Sequence, residues 1–138
     1  MAPLTSLRAR LAGGDVLITS WLSLPGRYHG AIFARSGCDA VTIDMQHGHI
    51  GFADMVALTE TCNLIGKPPI VRERVGELST LSRALDAGAD TVIVPMVNTP
   101  AEAAAAVAHA KYPPLGSRSW GPYLAMKKTG QAPDAFLH

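Results

Sequence analysis

Short apolar runs alternate with segments of helical periodicity along this chain of 138 residues. Continuous apolar runs that alternate with helical segments are typical of parallel strands buried on both faces by helices. We predict strands at residues 16–22, 40–43, 69–72 and 91–94, and helices at residues 4–11, 28–36, 52–64, 78–87 and 100–110. A glycine lies within two residues of the end of four of these helices, where glycine commonly stops a helix.

The order α-β-α-β-α-β-α-β-α predicts an α/β fold with a parallel sheet. A flavodoxin-like sheet and a (β/α)8 barrel both fit this pattern. After the fourth strand the chain runs through a turn-rich stretch, residues 112–121, and no fifth strand is predicted. A closed barrel usually needs at least about 200 residues. We therefore expect residues 1–138 to form one partial domain with four βα units, a half barrel.

Composition narrows the functional classes without selecting one. The formal net charge is +1 and basic residues are scattered, which gives no support for nucleic acid or an anionic membrane as a partner. No apolar run approaches the roughly 18 residues that cross a bilayer, and no signal-peptide segment is present, so we expect a cytoplasmic protein. Cys38 and Cys62 lack metal-binding spacing and are expected to be reduced core residues.

Polar and titratable residues follow the predicted strands at their carboxyl ends. The second strand is followed by Asp44, Gln46 and His47, and the third ends at Arg72. In α/β barrels and doubly wound sheets, the catalytic groups lie beyond the carboxyl ends of the strands. These side chains are therefore predicted to share one rim and to form a candidate active site. For Asp44 and Arg72 a structural role stays open, as a turn cap and a surface charge.

Five segments, in order, resemble a known family. They are WLSL at residues 21–24, IDMQHG at 43–48, PIVR at 69–72, LDAGADTVIVPMV at 85–97 and YPPLGSR at 112–118. Together they resemble the metal-dependent pyruvate aldolases that cleave 4-hydroxy-2-oxoheptanedioate and 2-dehydro-3-deoxyglucarate. Their superfamily includes the citrate lyase β subunit and phosphoenolpyruvate-utilising enzymes. The resemblance covers essentially the whole chain.

This resemblance implies the N-terminal half of a (β/α)8 TIM barrel and a class II aldolase. Such a lyase cleaves a 4-hydroxy-2-oxo acid reversibly into pyruvate and an aldehyde, in the catabolism of aromatic or sugar acids. By position, His47 would be the base that acts on the C4 hydroxyl, and Arg72 would stabilise the enolate oxygen. Asp86 would pair with His47, and Asp44 would order the metal-bound water or the groups around it.

Further residues belong to the substrate environment that the resemblance implies. Gln46 stands where several relatives carry Glu, Trp21 matches a tryptophan of the first strand, and Arg118 would bind a substrate carboxylate. Glu73 and Arg74 depart from the family pattern and would add charge near the rim.

The resemblance also implies a divalent ion, Mg²⁺, Mn²⁺ or Co²⁺, that chelates pyruvate and supplies Lewis acidity. Its family ligands are a Glu and an Asp after the fifth and sixth strands, so we expect no metal ligand within these 138 residues and little activity from them alone. We expect a homo-oligomer or a complementary half-barrel, because open sheet edges are seldom tolerated. Two alternatives remain open: a related lyase acting on an acyl-CoA or a dicarboxylate, and a non-catalytic half-barrel fragment.

Overall fold

Four parallel strands and six helices make up residues 6–133, the part of the chain that the computed structural model describes. The strands are β1 (Thr19–Leu22), β2 (Ala40–Asp44), β3 (Pro69–Arg72) and β4 (Thr91–Ile93). The helices are α1 (Leu7–Ala12), α2 (Arg27–Ala34), α3 (Phe52–Ile65), α4 (Leu78–Asp86), α5 (Pro100–Ala110) and α6 (Tyr123–Thr129). None of the helices in this range has both the length and the apolarity that a membrane span requires.

The order of the strands distinguishes between the two folds that fit the sequence. A flavodoxin-like sheet has the order 2-1-3-4-5, whereas each strand of a βα barrel pairs with its neighbours in sequence. Here the order is β1-β2-β3-β4 and every pair is parallel. The four βα units therefore have the arrangement of consecutive units of a barrel.

The two faces of the sheet differ in chemistry, because successive side chains of a strand point to opposite faces. Leu22, Ile43 and Val71 lie on the face that packs against the helices, and all three are buried. The helix residues in the same core are Met55, Leu58, Cys62 and Ala84. On the other face Thr19 and Thr42 approach each other, with their hydroxyl oxygens 2.8 Å apart. The polar face is the one that would line the inside of a barrel.

Helix α1 lies at the amino-terminal end of the sheet. Leu7 of α1 is buried, and with Leu11 it borders a cavity of about 200 Å³. The other residues around this cavity are Leu17, Ile18, Thr19, Ala40, Ile70 and Thr91. Since these residues lie in or beside the first half of each strand, α1 covers the end of the sheet opposite to Asp44 and Arg72.

The predicted elements match those of the structure, most with bounds that differ by one or two residues, except in two places. The first strand begins at Thr19 rather than at residue 16, because the Ile18 N–H donates to the Asp39 carboxylate at 2.9 Å instead of continuing the ladder. Helix α6 was not predicted, since it has only 7 residues and depends on packing of Ala125 near Gly88. The predicted first helix begins at residue 4, which lies outside the described residues.

Gly48 allows the loop after β2 to fold back over the end of β1. The His49 N–H donates to the Ser23 carbonyl oxygen at 2.8 Å. A Cβ atom at residue 48 would lie 2.2 Å from the Asp44 carbonyl oxygen and 3.0 Å from Ser23 backbone atoms. Glycine is therefore required for this close approach, which fixes the loop that carries His47.

We expect Gly48→Ala to lower the free energy of unfolding by about 1–3 kcal/mol, the usual range for overpacking, because backbone atoms cannot move aside as a side chain can. Urea denaturation measures the change. Gly51→Ala in the same loop is the control, since its Cβ would come no closer than 3.7 Å, to Asp54. A Gly48→Ala chain as stable as the Gly51→Ala chain would contradict this role.

Candidate active site

The carboxylate of Asp44 connects three elements at the carboxyl end of the sheet. Its Oδ2 accepts a hydrogen bond from Trp21 Nε1 of β1 at 2.9 Å and an ion-paired one from Arg72 Nη1 of β3 at 3.3 Å. Its Oδ1 accepts the backbone N–H groups of Gln46 and His47, at 2.9 and 3.2 Å. Asp44 is only 3% exposed, so this set of donors stabilises a charge that would otherwise be costly to bury.

Strand register and turn chemistry bring these groups together. Asp44 and Arg72 are partners in the β2–β3 ladder, so their side chains stand side by side on one face of the sheet. An aspartate readily accepts hydrogen bonds from N–H groups two or three residues later, and this bends the chain directly after β2. The guanidinium carbon of Arg72 lies 5.7 Å from the centre of the Trp21 ring, which adds a weak cation–π contact.

Asp44 is held in its ionised form. Burial alone would raise the pKa of this carboxyl, but hydrogen bonds from Trp21 and from the backbone of His47 and Gln46 outweigh it. The charge of Arg72 acts in the same direction, and the net result is a pKa below the usual value. Because the pKa is depressed on folding, Asp44 stabilises the fold above the unfolded pKa of about 3.9. That contribution is lost as the pH falls through the folded pKa.

The two residues after Met45 present polar groups that are not engaged by the rest of the described chain. The His47 side chain is exposed, and within residues 6–133 only its backbone N–H is hydrogen-bonded, to Asp44. The side-chain oxygen of Gln46 is buried and has no hydrogen-bond partner among the same residues. The rim thus combines a fixed backbone with side chains that remain available to a ligand.

Asp86 lies at the other end of the fold from His47. Helix α4 ends at Asp86, and the chain then reaches the amino end of the sheet, where the Asp90 N–H donates to the carbonyl oxygen of Pro69 at 2.9 Å. There Asp86 Oδ1 accepts a hydrogen bond from Arg118 Nη2 at 2.5 Å. Within one chain, Asp86 therefore pairs with Arg118 and not with His47, and a role of Asp86 in catalysis stays a prediction.

Arg118 is placed to join helices rather than to bind a substrate at the rim. Its side chain is 6% exposed, and its guanidinium carbon lies 4.6 Å from the centre of the Tyr112 ring. The Tyr112 ring packs in turn on Trp120, with 5.2 Å between centres. These contacts tie the loop after α5 to the end of α4. Binding of a substrate carboxylate by Arg118 stays a prediction.

Glu73 and Arg74 also differ from expectation. Glu73 is 2% exposed and contacts Thr80 of α4, so it adds no charge to the surface of the rim. Arg74 is exposed, and its Nε donates to the Met45 carbonyl oxygen at 3.1 Å. This bond joins the segments that follow β3 and β2, a contact that the sequence pattern did not indicate.

The described residues do not form a metal site by themselves. Within residues 6–133, no three His, Cys, Asp or Glu side chains lie close enough together to hold an ion. Both oxygens of Asp44 already accept bonds, from Trp21, Arg72 and two backbone N–H groups. A divalent ion at this rim would need further ligands.

We expect Asp44→Asn to lower the free energy of unfolding by about 2–4 kcal/mol at neutral pH, because it leaves Arg72 without its counter-charge. The difference from wild type should shrink as the pH falls through the folded pKa of Asp44, where the wild type loses the same charge. Urea denaturation over a pH series measures both effects. Glu60→Gln is the control, because it removes an exposed partner of Arg27 and should cost less than about 1 kcal/mol. Equal stability of Asp44→Asn and wild type at neutral pH would refute the role of Asp44.

Double-mutant cycles distinguish the two possible partners of Asp86. We expect the Asp86→Asn and Arg118→Gln substitutions to show a coupling energy of about 1–3 kcal/mol, as contacting residues do, because the two side chains form an ion pair. The cycle of Asp86→Asn with His47→Gln should show coupling near zero. The reverse result, measured by chemical denaturation of the chain, would restore the Asp86–His47 pair.

The chain is similar to known sequences over most of its length. The family model described as HpcH/HpaI aldolase/citrate lyase matches residues 18–132. The hydroxypyruvate/pyruvate aldolase of Rhizorhabdus wittichii is 43% identical over 109 residues, which cover 79% of this chain and 43% of that protein.

Solved structures give the same result for the fold. The citrate synthase SbnG has a TM-score of 0.79 and 32% identity, over 90% of this chain and 51% of that one. An HpcH/HpaI aldolase from Desulfitobacterium hafniense DCB-2 has a TM-score of 0.84 and 25% identity, over 96% of this chain and 51% of that one. These neighbours are TIM-barrel proteins, which confirms the expected fold class. The chain spans about half the length of these relatives.

Proposed function

Because this chain belongs to the HpcH/HpaI aldolase/citrate lyase family, we propose that it supplies part of the active site of a class II aldolase. The complete protein would cleave a 4-hydroxy-2-oxo acid reversibly into pyruvate and an aldehyde. The observation that carries the proposal is the Asp44–Arg72 ion pair of 3.3 Å at the carboxyl end of the sheet, beside the loop of His47. Residues 1–138 would be the N-terminal half of the barrel domain.

Arg72 is proposed to stabilise the enolate oxygen of pyruvate. Asp44 engages one nitrogen of the guanidinium, and the planar group has five N–H donors, so other donors stay available. The side chain is 22% exposed, which allows a small ligand to reach it. A positive charge that is oriented before the reaction stabilises developing negative charge with little reorganisation.

His47 is proposed to be the base for the C4 hydroxyl. An imidazole nitrogen would accept the hydroxyl proton, directly or through a water, as the C3–C4 bond breaks and the aldehyde forms. The electron pair of that bond passes to the pyruvate fragment, whose enolate oxygen faces Arg72. In the reverse direction His47 returns the proton to the new hydroxyl. Its anchored backbone and exposed side chain support this role.

Asp44, Trp21 and Gln46 are proposed to shape the pocket around these two groups. Asp44 would orient Arg72 and the His47 loop through the contacts described above. Trp21 is half-exposed next to Arg72 and would form one wall of the pocket. The buried, unpaired oxygen of Gln46 would accept a hydrogen bond from the substrate or from an ordered water.

A divalent ion, Mg²⁺, Mn²⁺ or Co²⁺, is proposed as the cofactor of the complete protein. Oxygen-rich sites select such hard ions. Since the described residues of this chain do not form a cation site, the ligands would come from other residues of the protein.

The edges of the sheet indicate how the chain would associate. In the described residues β1 and β4 are the outer strands, and the large apolar side chains beside them are exposed: Val16, Ile18, Met96 and Val97. Unpaired strands flanked by apolar surface promote pairing with another segment. We propose that further barrel strands, or a complementary half-barrel, cover them, and that the complete protein is a homo-oligomer. Its cytoplasmic location remains a proposal from the sequence.

A second candidate function is carbon–carbon chemistry on an acyl-CoA or a dicarboxylate. The similarity to a protein described as the citrate synthase SbnG supports it, because enolate stabilisation by an arginine serves that reaction equally well. We favour the aldolase because identity to the hydroxypyruvate/pyruvate aldolase is higher, 43% against 32%.

We expect His47→Ala in the complete protein with Mn²⁺ to suppress retro-aldol cleavage about 100-fold or more. Pyruvate enolisation should fall much less, because the proton that His47 moves lies on the C4 oxygen. Arg72→Ala should abolish both reactions, since both form the enolate. Pyruvate release measures cleavage, and deuterium exchange into the pyruvate methyl group measures enolisation.

Arg8→Ala is the matched control, because it removes an exposed guanidinium from α1, at the end of the sheet opposite to Arg72, and should leave both activities largely intact. The 138-residue chain alone should release little pyruvate. Equal loss of both reactions in His47→Ala would contradict the assigned base, and full activity of Arg72→Ala would refute the site.

A further inference from the structure

The carboxyl group of Glu73 is buried directly after Arg72, between β3 and α4. The residue is 2% exposed, and its backbone N–H donates to the Ile93 carbonyl oxygen at 3.0 Å, which continues the ladder beyond β3. Neighbouring side chains of a strand point to opposite faces. Arg72 therefore points towards Asp44, whereas Glu73 points into the layer of helices. An ionised carboxylate in that layer would be costly unless it were fully hydrogen-bonded.

Thr80 of α4 provides the decisive contact. Its hydroxyl oxygen lies 2.5 Å from Glu73 Oε2 and 2.7 Å from the backbone carbonyl oxygen of Glu77. A hydroxyl group has one proton to donate, and a carbonyl oxygen has none. If the Thr80 proton goes to Glu77, the short contact with Glu73 is a hydrogen bond only when Glu73 itself carries a proton. An ionised Glu73 would leave one of the two short contacts without a proton between its oxygens.

The groups around Glu73 favour the same protonation state. Burial is the largest influence on the pKa of Glu73 and raises it, and the nearby charge of Glu77 raises it further. A hydrogen bond donated by Thr80 would lower this pKa, as the charge of Arg74 does, but the two together do not cancel the rise. The other side-chain oxygen of Glu73 has no partner in the described residues, which costs less for a neutral carbonyl oxygen than for a carboxylate.

We propose that Glu73 is a neutral carboxylic acid in the folded protein and donates its proton to Thr80. The bond fixes the end of β3, and with it Arg72, against the start of α4. Glu73 is thus a positioning residue for Arg72. That role rests on the function proposed for Arg72, whereas the protonation of Glu73 does not depend on it.

The first test is an NMR titration of the Glu73 side-chain carboxyl carbon in the ¹³C-labelled chain, with the signal assigned by its loss in Glu73→Gln. We expect a midpoint above neutral pH, compared with about 4.3 for an exposed glutamate. A midpoint below neutral pH would overturn the proposal. This measurement uses the wild-type chain, so it does not depend on the stability of any variant.

The second test compares the stability of Glu73→Gln with that of wild type. A glutamine amide donates to Thr80 as a neutral acid does but cannot ionise. Because the pKa of Glu73 is raised on folding, its contribution is complete below the unfolded pKa and is lost as the pH rises through the folded pKa. As the pH rises through this range, the wild-type unfolding constant should therefore rise relative to that of Glu73→Gln. The rise should reach about tenfold for each unit by which the pKa of Glu73 differs between the folded and unfolded states.

Glu60→Gln is the matched control, since it removes an exposed carboxylate of α3 that pairs with Arg27 and is not among the groups that act on Glu73, and it should keep the pH dependence of the wild type. The opposite result, a Glu73→Gln chain that is less stable than wild type at neutral pH, would show that Glu73 is a carboxylate accepting from Thr80. That outcome would overturn the proposal.

The positioning role is tested at Trp21, whose indole N–H donates to the same Asp44 oxygen as Arg72. Its NMR signal should shift with the Glu73 titration in wild type and stay constant over that range in Glu73→Gln. A Trp21 indole signal whose chemical shift stays constant while Glu73 titrates in wild type would overturn the positioning role. Neither result depends on aldolase activity, so failure here is distinct from failure of the proposed function.

Discussion

A buried carboxylate at the end of β2 is the constraint on which the rim of this protein depends. Asp44 is only 3% exposed. A carboxylate so deeply buried stays ionised only when hydrogen-bond donors surround it, because desolvation otherwise favours the neutral form. The donors of Asp44 come from β1, from β3 and from the loop after β2. Satisfying one charge thereby fixes three separate parts of the chain relative to one another. An arginine and a histidine separated by 25 positions along the chain, at 47 and 72, share one rim for this reason.

The strands and the location of the rim could be predicted from the sequence, because β2 is a continuous apolar run that stops at Asp44. The pairing of Asp44 with Arg72 could not. It depends on the register of β2 and β3, and a slip of one residue would turn one of the two side chains to the other face. Apolar runs without alternation do not specify that register.

The direction of the predicted helices already places Asp86 and His47 at opposite ends of the sheet within one chain. In a βα unit the helix begins near the carboxyl end of the strand it follows and returns to the amino end of the next. Asp86 is the last residue of α4, so its place away from His47 follows from the order of the elements. The burial of Glu73 could not be predicted from the sequence in this way, since a glutamate is usually exposed. Helix α6 was missed because short helices depend on tertiary packing more than on local propensity.

Under the proposed function, the chain would supply one side of a carbonyl-compound site, with an arginine and a histidine held by Asp44. Its relatives are about twice as long. The most direct measurement is a crystal structure of the complete protein with pyruvate and a divalent ion. We predict that Arg72 contacts the keto oxygen while Asp44 still holds both Arg72 and the Trp21 indole, with His47 on the same side of the ligand. Pyruvate bound away from Arg72, or an Asp44 that has left Arg72, would contradict the claim that this carboxylate organises the site.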